Sequence, residues 1–366
     1  MQVNTDSTSA TGDGLSSPNS VAPRPRRLAR RSFIRNLGIG AALVGPGVAF
    51  LSASRAARAA TGSLTSGDVA ILRFLAAAEL IETDLWQQYT ELATGNPAFS
   101  AALAVLDEDM AQYVSDNTDD EKSHAAFINQ YLISVGEAPV NLSAFRTLPS
   151  SHATGAQQIG RLTNLMNLTV DTSWWLRYRS HKNPDFGETF PQFIKIVNFP
   201  AIPNIDLQVG SKRAQAIANT AAFHFATIEQ GGSSLYASFV PKASSFDLLQ
   251  ILPAIGGTEV FHFAIWHDKA GNAPAVSVPG VSFPDIASFD GNSTRQKNLI
   301  MPEPCQFLQP GIHPCSVIRP TSTPQAGAVA AATALTNSGL FQGQSQEFFA
   351  AVSSLATAAD AATRVC

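Results

Sequence analysis

Glu121-Lys-Ser-His124 and Glu259-Val-Phe-His262 decide how this chain is read. Each sets a carboxylate and an imidazole three residues apart in a segment with helical periodicity, so both side chains share one helix face about a turn apart. A single such pair on a helix is commonplace. Here each is preceded by another helical stretch with glutamate on its apolar face: Glu79 and Glu82 before the first, Glu229 before the second. The order Glu, Glu-x-x-His, long connection, Glu, Glu-x-x-His is what a four-helix bundle needs to hold two metal ions between its helices. Four carboxylates neutralise two divalent cations, and two imidazoles add nitrogen ligands suited to iron or manganese.

The local setting supports that reading. Leu72, Leu75, Glu79, Glu82, Trp86 and Tyr89 recur at three- and four-residue spacing, which puts both glutamates on the buried stripe. A buried carboxylate needs a cation, and Arg73 lies at a poor offset to supply one. Aligning Glu79 with Glu229 also aligns Leu85-Trp86 with Leu235-Tyr236, which favours Glu79 as the ligand and leaves Glu82 as a second carboxylate or alternate. Asp119-Asp120-Glu121-Lys122 alone looks like a solvated face, but Glu259 sits in the apolar run Thr258-Glu-Val-Phe-His-Phe-Ala-Ile-Trp-His267. His224 and His267 read as supporting or core histidines, and Trp86 and Tyr236 as core aromatics near the site.

Working outward, the first helix is expected from about Asp68 to Thr94, with Thr65-Ser-Gly-Asp68 as its cap. The second is expected from about Ser100 to Val135, with a break near Asp116–Asp119. A further helix is expected over 155–180, then a Pro/Phe/Asn-rich segment to about 210. A third bundle helix follows over about 211–240, halted by Pro241, and a fourth to about Lys269 behind a Ser244-Ser-Phe-Asp247 cap. Residues 272–324 are rich in Pro, Gly and Ser, and a final helix spans about 345–364. The fold class is therefore all-α: an antiparallel four-helix bundle with a long crossover excursion and a Pro-rich C-terminal extension ending in a helix.

The 366 residues are 45% hydrophobic and only 14% charged, enough for one large core plus an extension. The net charge of −4 is uneven. Residues 1–59 carry eight Arg and two Asp, so residues 60–366 keep 16 basic and 26 acidic residues, a net of −10. Nucleic acid and anionic membrane are poor partners for such a surface. Arg30-Arg31-Ser-Phe33-Ile34, an apolar stretch from Leu37 to Leu51, and Ala57-Arg58-Ala59 resemble a twin-arginine export signal with a small-x-small cleavage site. The apolar stretch is short for a membrane span and contains Gly and Pro, so no stable membrane anchor is expected. Export predicts a periplasmic or secreted protein, in which Cys305 and Cys315, ten apart in a Pro-rich loop, form a local disulfide. There is no Gly-x-Ser-x-Gly elbow and no Gly-rich phosphate loop.

Glu121-Lys-Ser-His124-Ala-Ala-Phe127-Ile-Asn-Gln-Tyr-Leu132, followed by Gly136 and Pro139-Val140, resembles the second helix of the ferritin-like superfamily. The likeness is to the branch of secreted ferritin-like and plant desiccation-related proteins. Glu79-Leu-Ile-Glu82 with Trp86 resembles that branch's first helix, which usually carries Tyr or Phe where Trp86 stands. The resemblance covers about residues 65–270 and implies a di-iron centre, manganese being the other candidate, at Glu79 or Glu82, Glu121, His124, Glu229, Glu259 and His262. The expected organisation is a signal peptide over 1–59, a ferritin-like bundle over 60–271, and a loop-rich extension with a C-terminal helix over 272–366. Two functions are compatible with it. One is a di-metal oxidoreductase of ferroxidase, peroxidase or catalase type, whose partners are metal ions, oxygen or peroxide. The other is a non-enzymatic envelope or desiccation-related stress protein that uses the bundle as a structural or interaction module. Either is compatible with an oligomer.

Overall fold

The computed structural model describes residues 64–177, 191–289, 304–305, 309–316 and 327–365. The Arg30-Arg31 signal and Cys366 lie outside the described residues. Among the described residues eight helices dominate: α1 (Ser66–Gly95), α2 (Pro97–Ala104), α3 (Met110–Ser134), α4 (Trp174–Arg177), α5 (Lys212–Phe239), α6 (Phe246–Gly271), α7 (Ala328–Asn337) and α8 (Gln346–Asp360). Six short strands pair as antiparallel hairpins: β1 (Leu168–Val170) with β2 (Ile196–Phe199), β3 (Val276–Val278) with β4 (Val281–Phe283), and β5 (Pro304–Cys305) with β6 (Cys315–Ser316).

Helix ends follow local chemistry. At α1 the Thr65 hydroxyl accepts from the Asp68 N–H and the Asp68 carboxylate accepts from the Thr65 N–H, both at 3.1 Å, a capping box. Ser211 and Ser245 cap α5 and α6 through their hydroxyls. Beyond α3, Gly136 takes φ +84°, and the Glu137 N–H reaches back to the Leu132 carbonyl.

Helices α1 and α3 pack together, as do α5 and α6. One apolar cluster holds Trp86, Tyr89, Phe225 and Trp266, where Trp86 and Trp266 stack with centroids 5.4 Å apart. The other holds Leu72, Ile128, Phe239 and Leu252. Each bundle helix runs from one cluster to the other, with its Glu and His residues between them. Following the residue numbers, α1 antiparallels α3 and α5 antiparallels α6, while α3 and α5 run the same way. The connection between α3 and α5 must therefore travel back along the bundle, which is why it is long.

That connection is not the helix expected over 155–180. Over the described residues 155–177 it is an extended strap whose regular elements are β1 and α4. Its apolar residues Leu162, Leu165, Trp174 and Trp175 are buried as the periodicity suggested. Its backbone, however, finds partners outside any helix, among them α1 and the C-terminal segment. The buried Asp84 carboxylate accepts from the backbone N–H groups of Leu162 (3.0 Å) and Thr163 (2.9 Å) and from the Thr163 hydroxyl. Asn164 N–H donates to the Leu340 carbonyl. Arg161, fully buried, pairs with Glu91 of α1 at 2.5 Å.

The helix break also differs from expectation. The chain is helical straight through Asp116–Asp119 and breaks over 105–109 instead. Asp116, Asp119 and Asp120 are exposed on the outer face of α3, while Asn117 and Thr118 are buried. At the true break the Asp107 carboxylate accepts from the Asp109 N–H and pairs with Lys269 at 2.6 Å.

The extension packs onto the bundle. Helix α8 lies against α1 and α7 contacts α5, and Phe341, Phe348 and Val352 join the first core cluster. The Asp360 carboxylate accepts from the N–H groups of Ala328 and Val329 and ties the two terminal helices together. Strands β5 and β6 set Cys305 opposite Cys315 in register.

Candidate metal centre

The polar layer between the two cores gathers side chains from all four long bundle helices. Glu79 comes from α1, Glu121 and His124 from α3, Glu229 from α5, and Glu259 and His262 from α6. All are buried, the most exposed being His124 at 8%. His124 Nδ1 lies 3.1 Å from Glu121, 3.4 Å from Glu79 and 3.5 Å from Glu259. His262 Nδ1 lies 3.2 Å from both Glu121 and Glu229. The two imidazole centroids are 6.4 Å apart.

Two sets of four ligand atoms, each within 4.8 Å of one another, emerge from this packing: Glu79, Glu121, His124 and Glu259; and Glu121, Glu229, Glu259 and His262. They overlap at Glu121 and Glu259. Such an overlap would let Glu121 and Glu259 be shared between two cations, with the other four residues divided between them. Glu82 is in neither set. Its Oε2 is buried without a hydrogen-bond partner beside the cluster, and burial followed by the charges of Glu121, Glu79 and Glu229 raises its pKa well above the ordinary value.

The electrostatics of this layer suit a cation. Glu79 Oε2 and both Glu259 oxygens are buried with no hydrogen-bond partner. Burial, then the charges of Glu121 and Glu229, raises the Glu259 pKa well above normal. Burial and Glu229 push Glu121 up to about 7, against hydrogen bonds from the two histidines. Burial alone would depress the histidines, but His124 is raised to about 10 by its hydrogen bond to Glu121 and by the adjacent Glu79 carboxylate. His262 reaches about 12 through Glu229 and bonds to Asp120, Glu121 and Glu229. Without metal, the cluster holds protons on its imidazoles to offset its carboxylates. Orphaned carboxylate oxygens around borderline nitrogen donors fit divalent iron or manganese.

Several supporting residues carried no motif. The Asn117 amide donates to Glu121 at 2.8 Å and to Glu229 at 3.0 Å, and its carbonyl accepts from Trp266 Nε1 at 2.8 Å. Asn117 lies four residues before Glu121 and so on the ligand face, the one signal that pointed to it. The Asp120 carboxylate sits 3.0 Å from His262 Nε2, the outward-facing nitrogen, and is itself half exposed. Its partner is on another helix, and nothing in the local sequence announces it. The Tyr236 hydroxyl donates to Glu79 Oε1. Gly232 leaves room for Glu259, since a Cβ there would stand 2.1 Å from Glu259 Oε2. His224 shares a 2.8 Å hydrogen bond with the Tyr89 hydroxyl, and His267 stacks on Trp175 at 4.8 Å, so neither joins the ligand cluster.

No curated protein and no solved structure matches the chain. The ferritin-like domain matches over residues 67–272, a span that starts in α1 and ends just past α6. With four ligand-bearing helices in the required order and that match across more than half its length, the chain belongs to the ferritin-like domain family.

Proposed function

We propose that this is an exported ferritin-like protein whose Glu79, Glu121, His124, Glu229, Glu259 and His262 hold two iron or manganese ions that react with dioxygen, peroxide or ferrous iron. The observation that carries this reading is the overlap of the two four-ligand sets at Glu121 and Glu259. The Arg30-Arg31 signal supports export, and the Glu121–Val140 stretch supports the secreted, desiccation-related branch.

A redox-active pair held there supplies two-electron chemistry toward an oxygen-derived substrate. The chain's own residues do the rest. Asn117 fixes one oxygen of Glu121 and one of Glu229, leaving their other oxygens facing the imidazoles. The Tyr236 hydroxyl does the same for Glu79; burial first, then Glu79 and Glu259, keep it protonated and donating. Asp120 orients His262 so that Nδ1 faces inward, and it offers the Nε2 proton a route to solvent. The stacked Trp86 and Trp266 close one side of the layer against water.

The test is elemental analysis of protein taken from its native compartment, with anomalous scattering at the iron and manganese edges. The expected result is two ions per chain. His124→Ala or His262→Ala lowers that content, and Glu121→Ala with Glu259→Ala abolishes it. A wild-type protein that takes up neither metal refutes the reading. Peroxide and ferrous-iron turnover by the loaded protein then separates an oxidoreductase from a structural module. Export is tested by replacing Arg30-Arg31 with Lys-Lys: the expected outcome is precursor retained inside the cell, and unimpaired export refutes the route.

A further inference from the structure

Beside the polar layer lies a cavity of about 320 Å³. One wall is a face of α1 with Ala77, Ala78 and Ile81, and a second is a face of α5 with Ile228 and Leu235. The C-terminal segment covers both with Ala332, Leu335 and Phe341, while the exposed Gln192, Lys195 and Val197 line its strap side. The lining is chiefly hydrocarbon. An apolar hollow that opens toward solvent on its exposed strap side favours an apolar occupant over water.

Three lining residues, Glu82, His224 and Gly232, stand out among the polar and small residues of that wall. Glu82 Oε2 and His224 Nε2 are buried without hydrogen-bond partners, and both residues line the cavity. Gly232 is the third. It presents no side chain to the cavity, and its Cβ position is occupied by Glu259 Oε2 of the polar layer. At Glu82 and Gly232 the partition between cavity and metal-ligand cluster is therefore one carboxyl and a stretch of helix backbone.

We infer that this cavity is a binding site for a largely hydrocarbon molecule carrying one small hydrogen-bonding group, seated against the ligand cluster at Glu82 and Gly232. The volume is about twice the ~150 Å³ that admits a benzene ring, so the occupant has on the order of a dozen heavy atoms. Its polar group meets the orphaned Glu82 oxygen, because a buried polar atom in an apolar wall selects a ligand that satisfies it. The inference rests on the di-metal reading for its link to chemistry, and it assigns the C-terminal segment the role of cavity cover.

The experiment is calorimetric titration of 1-decanol into the purified protein, both metal-depleted and metal-loaded. The expected result is one molecule bound per chain in both forms. Ala332→Phe fills the cavity from α7, which contributes no residue to the ligand cluster, and weakens binding at least tenfold with metal content unchanged. Ala78→Phe serves the same purpose should the first variant fail to fold. Leu335→Ala enlarges the cavity and shifts preference toward 1-dodecanol. Absence of decanol binding to a protein that still takes up its metal overturns the cavity inference and leaves the centre standing. Decanol binding that Ala332→Phe and Ala78→Phe both leave intact also overturns it. Decanol binding blocked by those variants in a protein that takes up no iron or manganese keeps the cavity site and overturns the centre.

Discussion

Replacing Asn117 with alanine removes three hydrogen bonds at once from the middle of the bundle. Among the described residues its NH2 is the donor, besides the imidazoles, that reaches both Glu121 and Glu229, and its carbonyl oxygen accepts from the buried Trp266 indole. An indole N–H left unsatisfied costs about 1–3 kcal/mol, and each hydrogen bond to a carboxylate contributes about 1.5–3 kcal/mol. Relaxation of the carboxylates toward the histidines recovers part of that, so the expected loss in metal-depleted protein is about 4 kcal/mol. The assay is urea unfolding in the presence of a chelator, with Asn117→Ala, Trp266→Phe and the double variant compared with wild type. The two single losses are expected to be non-additive by about 1 kcal/mol or more, because they share one bond. A second effect is on loading: ligand carboxylates without their orienting partner bind metal about 10–100-fold more weakly. A stability loss below about 1 kcal/mol, or strict additivity with Trp266→Phe, refutes the network.

Metal uptake is expected to release protons, because His124 at about 10 and His262 at about 12 carry protons at neutral pH that metal must displace. Affinity therefore rises with pH, and titration calorimetry in buffers of different ionisation enthalpy counts the protons; uptake without release contradicts the cluster. Gly232→Ala is expected to keep the helical content but lower metal content, since its Cβ falls 2.1 Å from Glu259 Oε2 and displaces that carboxylate; full loading refutes it. Burial lowers His224 to about 3, against about 6.5 in an unfolded chain. Below pH 6.5 the unfolded state therefore gains a proton the folded state refuses, and stability falls with falling pH. From pH 7 to 5 this costs about 2 kcal/mol, a loss absent from His224→Gln when the two are compared by chemical denaturation.

The four long helices and their order were legible because ligand spacing and helical periodicity coincide: a residue that must face the centre must also lie on the buried stripe. Glu79 could be separated from Glu82 only by aligning the halves, and the structure places Glu79 in a four-ligand set with Glu82 at its edge. The stretch over 155–177 reads as a helix because its apolar residues have helical spacing, while its backbone partners lie elsewhere, on Asp84 and Leu340. Tertiary hydrogen bonds of that kind leave no local pattern. Asp84 and Glu91 illustrate the same limit, since their buried charges are met by Arg146 and Arg161 from the strap. The polar run at Asp116–Asp119 looked like a break because its charges are solvated, yet a surface helix face has the same composition.

The Asp68 carboxylate that caps α1 also accepts from the backbone N–H groups of Ser244 and Ser245, at 2.8 and 3.1 Å, where α6 begins. The chain separating those partners is 176 residues long. Contacts of such range form late, because the entropy of closing so large a loop precedes any reward. As the chain leaves the ribosome, Glu79, Glu121 and His124 emerge well before Glu229, Glu259 and His262 can meet them. The nascent first half is therefore a helical hairpin with acidic groups on a face that has no cover. It becomes a compact unit only once residues up to Gly271 are available, so the two halves of the acidic cluster meet only after the whole bundle has been synthesised.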